Sequence, residues 1–255
     1  MIWDPERLRT KYLPANRWPT AAGPAPGWLA PVECAELARL KDPTRRSAWL
    51  AGRWCAKLLI RQAIDELRRD NPPGRWTERR PACGALAEIE IRSRDEFGHG
   101  IRPRITVHGE ALSWSISISH SVRGALAALA STDACVLGVD LTDPTPPTAG
   151  FLRLWFTATE RRWIEPDPPR RAAMIWSLKE AVYKACQEGE NWSPREVEIR
   201  PSPRGGFRGA FRGRALRASR IETFEIDGQI AALVCRERLL DGVLLRMLAI
   251  YGTTP

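Results

Sequence analysis

The sequence predicts an α+β fold, because two long helical patterns lie on either side of a run of short strand-like segments. We expect the first helix to begin after Asp42, with Pro43 at its first position, and to end near Arg69. The second helical pattern spans roughly residues 170–187. Both patterns carry apolar residues at helical spacing, which indicates a buried face on each helix.

The middle of the chain is predicted to form strands. Residues 113–120, 125–130 and 135–141 are apolar runs separated by polar turns, a pattern typical of an antiparallel meander. Residues 86–91 alternate apolar and polar side chains, which predicts a half-buried strand. Residues 95–103 contain glycines and are expected to form a turn.

The other segments carry weaker patterns. Thr157 and Glu160 have the spacing of a capping box, which marks a helix start. Ile199 indicates a strand. Further expectations are an irregular lead-in over residues 1–30, a proline-rich linker over 142–150, a mobile loop over 204–214, and closing strands over 222–236 and 243–250.

The composition is that of an ordinary globular protein. The 255 residues are 44% hydrophobic and 27% charged, which argues against disorder. There is no run of about 18 apolar residues and no pattern of a secretory signal, so we expect no membrane span. The six cysteines form no C-x-x-C pair, which favours buried free thiols in a reducing cytoplasm over a zinc site.

The net charge of +9 arises mainly from arginine, since only five of the 39 basic residues are lysine. The planar guanidinium group suits phosphate and carboxylate partners. The expected partner is therefore anionic: a nucleic acid, a polyphosphate cofactor or an acidic protein. Codon bias is an equally simple explanation of the arginine content.

Two polar residues are expected to meet at one edge of the predicted meander. His120 ends its first strand and Asp140 lies near the end of its third, and these two strands run in the same direction. A histidine beside a carboxylate is suited to binding phosphate and metal. The alternative is that both are ordinary polar residues next to loops.

The second helix carries a possible catalytic pair. Glu180 and Lys184 are four residues apart and therefore share a face. Because Mg²⁺ needs only one or two protein carboxylates together with substrate phosphates, Asp140 and Glu180 could hold it and Lys184 could contact a phosphate. The alternative is a solvated salt bridge between Glu180 and Lys184.

The first helix carries a cationic stripe. Arg46, Arg53, Lys57 and Arg61 fall within a narrow sector of the predicted helix surface. Such a stripe suits a ligand with several phosphates. A basic solvated face is the alternative.

Five stretches in a fixed order resemble the 4′-phosphopantetheinyl transferase superfamily, and within it the double-length monomeric branch that includes the surfactin-synthetase activator. They are Leu50-Ala-Gly-Arg-Trp-Cys-Ala-Lys57, Ser117-Ile-Ser-His-Ser121, Leu137-Gly-Val-Asp-Leu141, Phe156-Thr-Ala-Thr-Glu160 and Trp176-Ser-Leu-Lys-Glu-Ala-Val-Tyr-Lys184. The resemblance implies two similar halves, residues 1–141 and 142–255, each an antiparallel sheet packed on a long helix. The halves would be related by a pseudo-twofold axis and form one catalytic unit in a monomer.

The resemblance also implies a reaction. Phosphopantetheine would pass from coenzyme A to a serine of an acidic acyl, peptidyl or aryl carrier protein, with release of 3′,5′-ADP. Asp140 and Glu180 would hold Mg²⁺, Glu180 would take the serine proton, and Lys184 would stabilise the bridging phosphate. The residues implied in coenzyme A binding are Arg46, Arg53, Lys57, Arg102, Ser119 and His120. Glu160 lies in a family motif, although its capping-box position explains it equally well.

The sequence departs from the family pattern at two places. Thr142 stands where many relatives carry a second acid, so that water or Asp143 would fill the third position of the metal site, or two protein ligands would be enough. Arg102 replaces the lysine of a family Gly-Lys-Pro turn, with altered spacing. Two alternative functions stay open: a nucleic-acid-binding module that uses the arginine surface, and a relative that binds coenzyme A without turnover. If the protein is a transferase of this family, we expect neither a membrane nor a nucleic acid as its partner.

Overall fold

The computed structural model describes residues 8–19, 25–70, 85–131, 135–186, 193–202, 206–216 and 218–237. Its helices are α1 (Pro31–Ala38), α2 (Pro43–Asp70), α3 (Ala149–Trp155), α4 (Ala158–Ile164) and α5 (Pro168–Cys186). Its first strands are β1 (Arg9–Pro14), β2 (Ile89–Arg94), β3 (Gly100–Val107), β4 (Glu110–Ala111), β5 (Trp114–His120), β6 (Gly124–Ser131) and β7 (Cys135–Thr142). The later strands are β8 (Val197–Pro201), β9 (Phe207–Phe211), β10 (Arg214–Ala215), β11 (Ala218–Ile226) and β12 (Gln229–Glu237).

The described strands form four antiparallel sheets of three strands each. Their orders are β1-β6-β5, β2-β3-β4, β11-β12-β7 and β10-β9-β8. The helix α2 packs on β1, β5 and β6, whereas α5 packs on β7 and β12. Each long helix thus buries its apolar face against a sheet, and a third apolar cluster lies where β6, β7 and β12 meet. The α+β class predicted from the sequence is confirmed.

Both long helices and the capping box are confirmed. The Asp42 carboxylate accepts the Arg45 N–H at 2.8 Å at the start of α2. The Thr157 hydroxyl and the Glu160 carboxylate exchange hydrogen bonds with each other's main-chain N–H groups at the start of α4. These signals are local, which is why the sequence locates them correctly.

The predicted meander is only half correct. The strands β5 and β6 pair as expected, but β7 pairs with β12 along its whole length and not with β6. A strand edge accepts any partner of suitable register, so a distant hairpin strand can replace the neighbouring one.

Several segments that were expected to be irregular form strands. Within the lead-in, β1 pairs with β6, and the expected turn after residue 95 gives way to β3 at Gly100. Pro103 is tolerated in β3 because β4 pairs only with Thr106 and Val107. The described part of the expected loop 204–214 forms the β9–β10 hairpin. Residues 222–236 were expected to form one closing strand, but they belong to two strands, β11 and β12, that pair as a hairpin.

Other expectations give smaller differences. Residues 86–88 form a 3₁₀ turn, so the strand begins at Ile89, because the Glu88 carboxylate accepts the Ala85 N–H and bends the chain.

Cys34 is half-buried, and the described cysteines Cys55, Cys135, Cys186 and Cys235 are buried free thiols. Cys83 and the predicted strand 243–250 lie outside the described residues. None of the described helices combines the length and the apolarity that crossing a membrane requires.

Candidate active site

The strands β5 and β7 are joined by serine side chains. On β5 the hydroxyls of Ser115, Ser117 and Ser119 accept the main-chain N–H groups of Leu137, Val139 and Leu141 at 3.0, 2.9 and 3.2 Å. Because β7 is the edge strand of its sheet, these N–H groups would otherwise lack a strand partner. These three serines, which we call the serine ladder, bring the end of β5 beside Asp140. The alternation of serine with other residues along β5 is the sequence pattern that could have predicted the ladder.

Asp140 is held by three donors. Its Oδ1 accepts the Ser119 hydroxyl at 2.8 Å and the Lys184 ammonium at 2.9 Å, while its Oδ2 accepts the Thr142 hydroxyl at 2.8 Å. The residue is 6% exposed. Burying a carboxylate costs free energy unless its oxygens accept hydrogen bonds, and both oxygens of Asp140 do so.

Close packing brings α5 onto β7. A Cβ atom built on Gly138 would lie 1.8 Å from the Ala181 carbonyl oxygen, so only glycine permits this approach. Lys184, one turn after Glu180, reaches Asp140 across the contact, which places Glu180 and Lys184 on the part of α5 that borders β7. The structure thus brings Lys184 to Asp140, and helical spacing places Glu180 one turn before Lys184 on α5; the catalytic and metal-binding roles of these residues stay predictions.

Lys184 uses each proton of its ammonium group. It donates to Asp140 Oδ1, to the Val139 carbonyl oxygen at 3.0 Å and to the Ser119 hydroxyl at 3.2 Å. Its side chain is 25% exposed. Lys184 therefore forms its ion pair with Asp140, and not the solvated salt bridge with Glu180 that was the alternative interpretation of the helix.

His120 lies on the opposite face of β5 from Ser119, beside α2. A Cβ atom on Gly52 would be 3.9 Å from its ring. Although the side chain is exposed, partial loss of water and then the positive charge of Lys184 lower the pKa of His120, while Asp140 opposes the shift. Neutral imidazole at pH 7 can both donate and accept a hydrogen bond. His120 and Asp140 are near each other as predicted, but through the contact of two sheets.

Two residues of the cationic stripe on α2, Arg53 and Lys57, are buried in ion pairs, and coenzyme A binding by this stripe stays a prediction. Lys57 is fully buried and forms an ion pair with Glu33, while Arg53 is 5% exposed and pairs with Glu36 at 3.0 Å. The acids of α1 compensate cations that α2 buries, because a buried charge requires a partner. Phosphate contact by Arg53 or Lys57 would require breaking these pairs. Periodicity identified the shared face of α2 but not the helix that covers it.

Arg46, Arg102 and Ser119, which the resemblance also implies in coenzyme A binding, lie in three separate parts of the structure. Arg46 is half-buried and donates to the Leu37 carbonyl oxygen at 3.2 Å. Arg102 extends from β3 toward the Ala185 carbonyl oxygen at the end of α5, at 3.5 Å. This position beside the last turn of α5 favours a cation. Ser119 is buried, and its hydroxyl contacts Asp140 and Lys184, while its implied contact with coenzyme A stays a prediction.

Glu160 has a structural position. It is fully buried, pairs with Lys179 at 3.0 Å and accepts the Ile199 N–H at 2.8 Å. Desolvation lowers the pKa of Lys179, and Glu160 opposes this shift by stabilising the charged ammonium. The capping-box explanation of Glu160 therefore accounts for its contacts, and a supporting catalytic role stays a prediction.

A polar cluster beside the site was not predicted. The Tyr12 hydroxyl donates to Gln229 Oε1 at 3.2 Å, and the Gln229 amide donates to Asp143 Oδ1 at 3.2 Å. Arg123 also donates to Asp143 Oδ1, at 2.6 Å. The Asp143 carboxylate is directed to Arg123 and Gln229, so completion of the metal site by Asp143 would require a change of partner and stays a prediction. No local pattern marks residues that come together from four separate segments.

The donor set fits Mg²⁺ in a limited way. Among the described residues no group of three or more His, Cys, Asp and Glu side chains could hold a metal ion. Asp140 and Glu180 supply two carboxylates, which is the number that Mg²⁺ commonly takes from a protein when substrate phosphates complete its shell. Thr142 stands at the position where a second acid after Asp140 was considered, and its hydroxyl donates to Asp140.

Comparison with known proteins points to one superfamily. Residues 136–235 match the family model of the 4′-phosphopantetheinyl transferase superfamily, and they contain Asp140, Glu180 and Lys184. Among similar solved structures is the Thermotoga maritima holo-[acyl-carrier-protein] synthase (AcpS), with 23% sequence identity and a TM-score of 0.34 over 40% of this chain. The chain spans 62% of the length of that synthase. No curated protein matches the chain.

Proposed function

We propose that this protein is a 4′-phosphopantetheinyl transferase that modifies a serine of an acyl or peptidyl carrier protein, with coenzyme A as donor. The observation that carries the proposal is the Asp140–Lys184 ion pair, 2.9 Å long, at the contact of β5, β7 and α5, with Glu180 one helical turn away. The same segment matches the superfamily model.

The proposed reaction transfers the phosphopantetheine group of coenzyme A to a serine of the carrier protein. The serine oxygen of the carrier forms a bond to the phosphorus that bears the pantetheine arm. The pyrophosphate P–O bond breaks and 3′,5′-ADP leaves. Glu180 takes the serine proton, directly or through water, and Lys184 neutralises charge on the bridging oxygen.

Asp140 and Glu180 would hold Mg²⁺ against the coenzyme A pyrophosphate. When bound, the ion neutralises phosphate charge and orients the pyrophosphate for displacement. Ser119 and Thr142 orient the Asp140 carboxylate by donating to its two oxygens. Because three protein donors already surround Asp140, little rearrangement of its side chain is needed.

His120 would contact a coenzyme A phosphate from the α2 side of the site. Arg45, in the first turn of α2, is exposed and close enough for its charge to lower the pKa of His120. An arriving phosphate reverses this effect, because an anion favours the imidazolium form. Arg45 is thus a further cation that α2 offers to the ligand, in addition to the implied Arg46, Arg53 and Lys57.

We further propose that the chain consists of two related halves that act as one monomeric unit in the cytoplasm. Two buried ion pairs with the same surroundings support this relation. Glu33 accepts the Ala30 N–H and the Ile91 N–H and pairs with Lys57. Glu160 accepts the Thr157 N–H and the Ile199 N–H and pairs with Lys179.

Intact-mass spectrometry of apo carrier proteins tests the function. A panel of acyl, peptidyl and aryl carriers is incubated with the protein, coenzyme A and Mg²⁺, and an EDTA sample is the control. The expected result is a gain of one phosphopantetheine on at least one carrier, lost with EDTA. No gain on any carrier, together with no Mg²⁺-dependent coenzyme A binding in calorimetry, would contradict the proposal. Gain that persists in EDTA would contradict the role of the metal.

A further inference from the structure

The Ser119 hydroxyl is saturated with hydrogen bonds. It donates to Asp140 Oδ1 at 2.8 Å and accepts from both the Leu141 N–H and the Lys184 ammonium at 3.2 Å. A serine hydroxyl has one proton and two acceptor sites, so all its capacity is used. The residue is 6% exposed, which places this hydroxyl inside the contact of β5, β7 and α5.

The other serines of the ladder differ from Ser119 in one respect. Ser115 and Ser117 project from the same face of β5 and accept main-chain N–H groups of β7 at 3.0 and 2.9 Å. Within the described part of the chain their hydroxyls make no hydrogen bond to a charged side chain. Ser119 alone among the three thus joins the ladder to the ion pair.

We propose that Ser119 is a positioning residue that sets the geometry of the Asp140–Lys184 pair. The inference rests on the proposed function. Ser119 belongs to β5, whereas Asp140 and Lys184 belong to β7 and α5. Through this one hydroxyl, the β1-β6-β5 sheet determines where the ammonium and the carboxylate lie relative to each other.

The physical argument concerns how many contacts hold the ammonium group. Lys184 has three anchors: Asp140 Oδ1, the Val139 carbonyl oxygen and the Ser119 hydroxyl. Removing the hydroxyl leaves two anchors, both on β7, so that nothing from β5 limits rotation of the ammonium away from the reacting phosphate. Misplacement of a catalytic cation lowers kcat, whereas loss of a coenzyme A contact raises KM.

The test compares Ser119→Ala with Ser117→Ala. Both variants remove one ladder hydrogen bond to β7, but only Ser119→Ala also removes the contacts to Asp140 and Lys184. We expect Ser119→Ala to lower kcat at least about tenfold with the KM for coenzyme A within about twofold of wild type. Ser117→Ala should keep kcat within about twofold and should lose no more thermal stability than Ser119→Ala, because it removes fewer hydrogen bonds.

Two further measurements keep the result interpretable. Calorimetry of coenzyme A binding without carrier should give dissociation constants within about twofold for wild type and Ser119→Ala. If Ser119→Ala does not fold, Ser119→Cys keeps most of the volume but has only a weak donor, and the same fall in kcat is expected.

The outcomes separate the two proposals. Equal kcat values for Ser119→Ala and Ser117→Ala would overturn the positioning role while the transferase function stands. A raised KM and a weakened coenzyme A affinity with unchanged kcat would overturn it in favour of a ligand contact. Absence of transfer by the wild-type protein on every carrier would remove the proposed function, and the positioning role with it.

Discussion

Gly138 of β7 and Ala181 of α5 are in direct backbone contact, since a Cβ atom on Gly138 would lie 1.8 Å from the Ala181 carbonyl oxygen and 2.9 Å from the Ala185 nitrogen. Helix and strand can come this close only without a side chain between them. Because Ala181 follows Glu180 directly, this contact sets how closely the part of α5 that carries Glu180 and Lys184 lies on β7. The absence of a side chain at residue 138 is therefore part of the site.

Gly138→Ala should destabilise the fold and lower activity together. The added methyl group overlaps main-chain atoms, which cannot rotate away, so α5 must shift from β7; overpacking of this kind costs about 1–3 kcal/mol or more. Gly150→Ala is the matched control, because its nearest neighbouring atom is 4.0 Å away and alanine favours its helix. Urea denaturation measures both variants. A Gly138→Ala variant as stable as Gly150→Ala would contradict the close contact.

Glu180→Gln should abolish transfer while leaving the fold intact. The amide keeps the size of the side chain but cannot take a proton and is a weaker metal ligand, so we expect kcat to fall about 100-fold or more. Glu198→Gln, on the surface strand β8 with its ion pair to Arg200, is the control and should retain activity. Carrier modification is followed by intact mass, and circular dichroism checks the fold. Near-normal turnover by Glu180→Gln would refute its role.

Lys57→Ala should reduce stability rather than coenzyme A affinity. Its ammonium pairs with Glu33 and donates to two carbonyl oxygens at 3.0 Å, so removal leaves a buried acid without its cation. The expected loss in the free energy of unfolding is about 3–5 kcal/mol. Arg61→Ala, exposed on the same helix, should change it by less than about 0.5 kcal/mol.

A double-mutant cycle identifies the cause of that loss. Adding Glu33→Gln to Lys57→Ala removes the uncompensated charge and should recover part of the stability. Unfolding is measured in urea, and coenzyme A binding is measured on the folded proteins. A Lys57→Ala variant of normal stability but weak coenzyme A binding would instead support a direct contact between the cationic stripe of α2 and coenzyme A.

His120→Gln should make stability less sensitive to acid. The pKa of His120 is lowered in the folded chain, first by loss of water and then by Lys184. The unfolded chain therefore binds more protons, so the wild-type free energy of unfolding decreases as the pH falls through about 6.5 and on to the folded pKa. Urea denaturation at pH 7.5 and pH 5.5 should show a smaller decrease for His120→Gln. Equal decreases would contradict the lowered pKa.

Cys55 should resist alkylation in the native protein. Burial raises its pKa to about 12, and its thiol donates to the Lys11 carbonyl oxygen at 3.1 Å. Thiolate is the reactive form, and little of it exists at pH 8. Iodoacetamide labelling followed by peptide mass mapping should modify half-buried Cys34 well before Cys55, with urea-unfolded protein as the control. Equal native labelling rates would indicate that the core of α2 opens.

Much of the site could be predicted from short-range patterns. The four-residue spacing of Glu180 and Lys184 places them on one helix face in any fold that keeps the helix. The start of α4 follows from Thr157 and Glu160 alone. The segment of β7 was also correct, because apolar periodicity acts within a strand and does not depend on its neighbour.

Long-range pairing decided what these residues do. Only the tertiary structure shows that β7 joins β12, that Lys184 pairs with Asp140 and not Glu180, and that α1 buries Lys57. The physical reason is the range of the interactions. Helix spacing and capping act over a few residues and are written in the sequence, which therefore determined the helices and the residue types of the site. Strand-edge pairing and charge burial depend on which distant surfaces meet, so the folded chain alone decided which polar groups became partners.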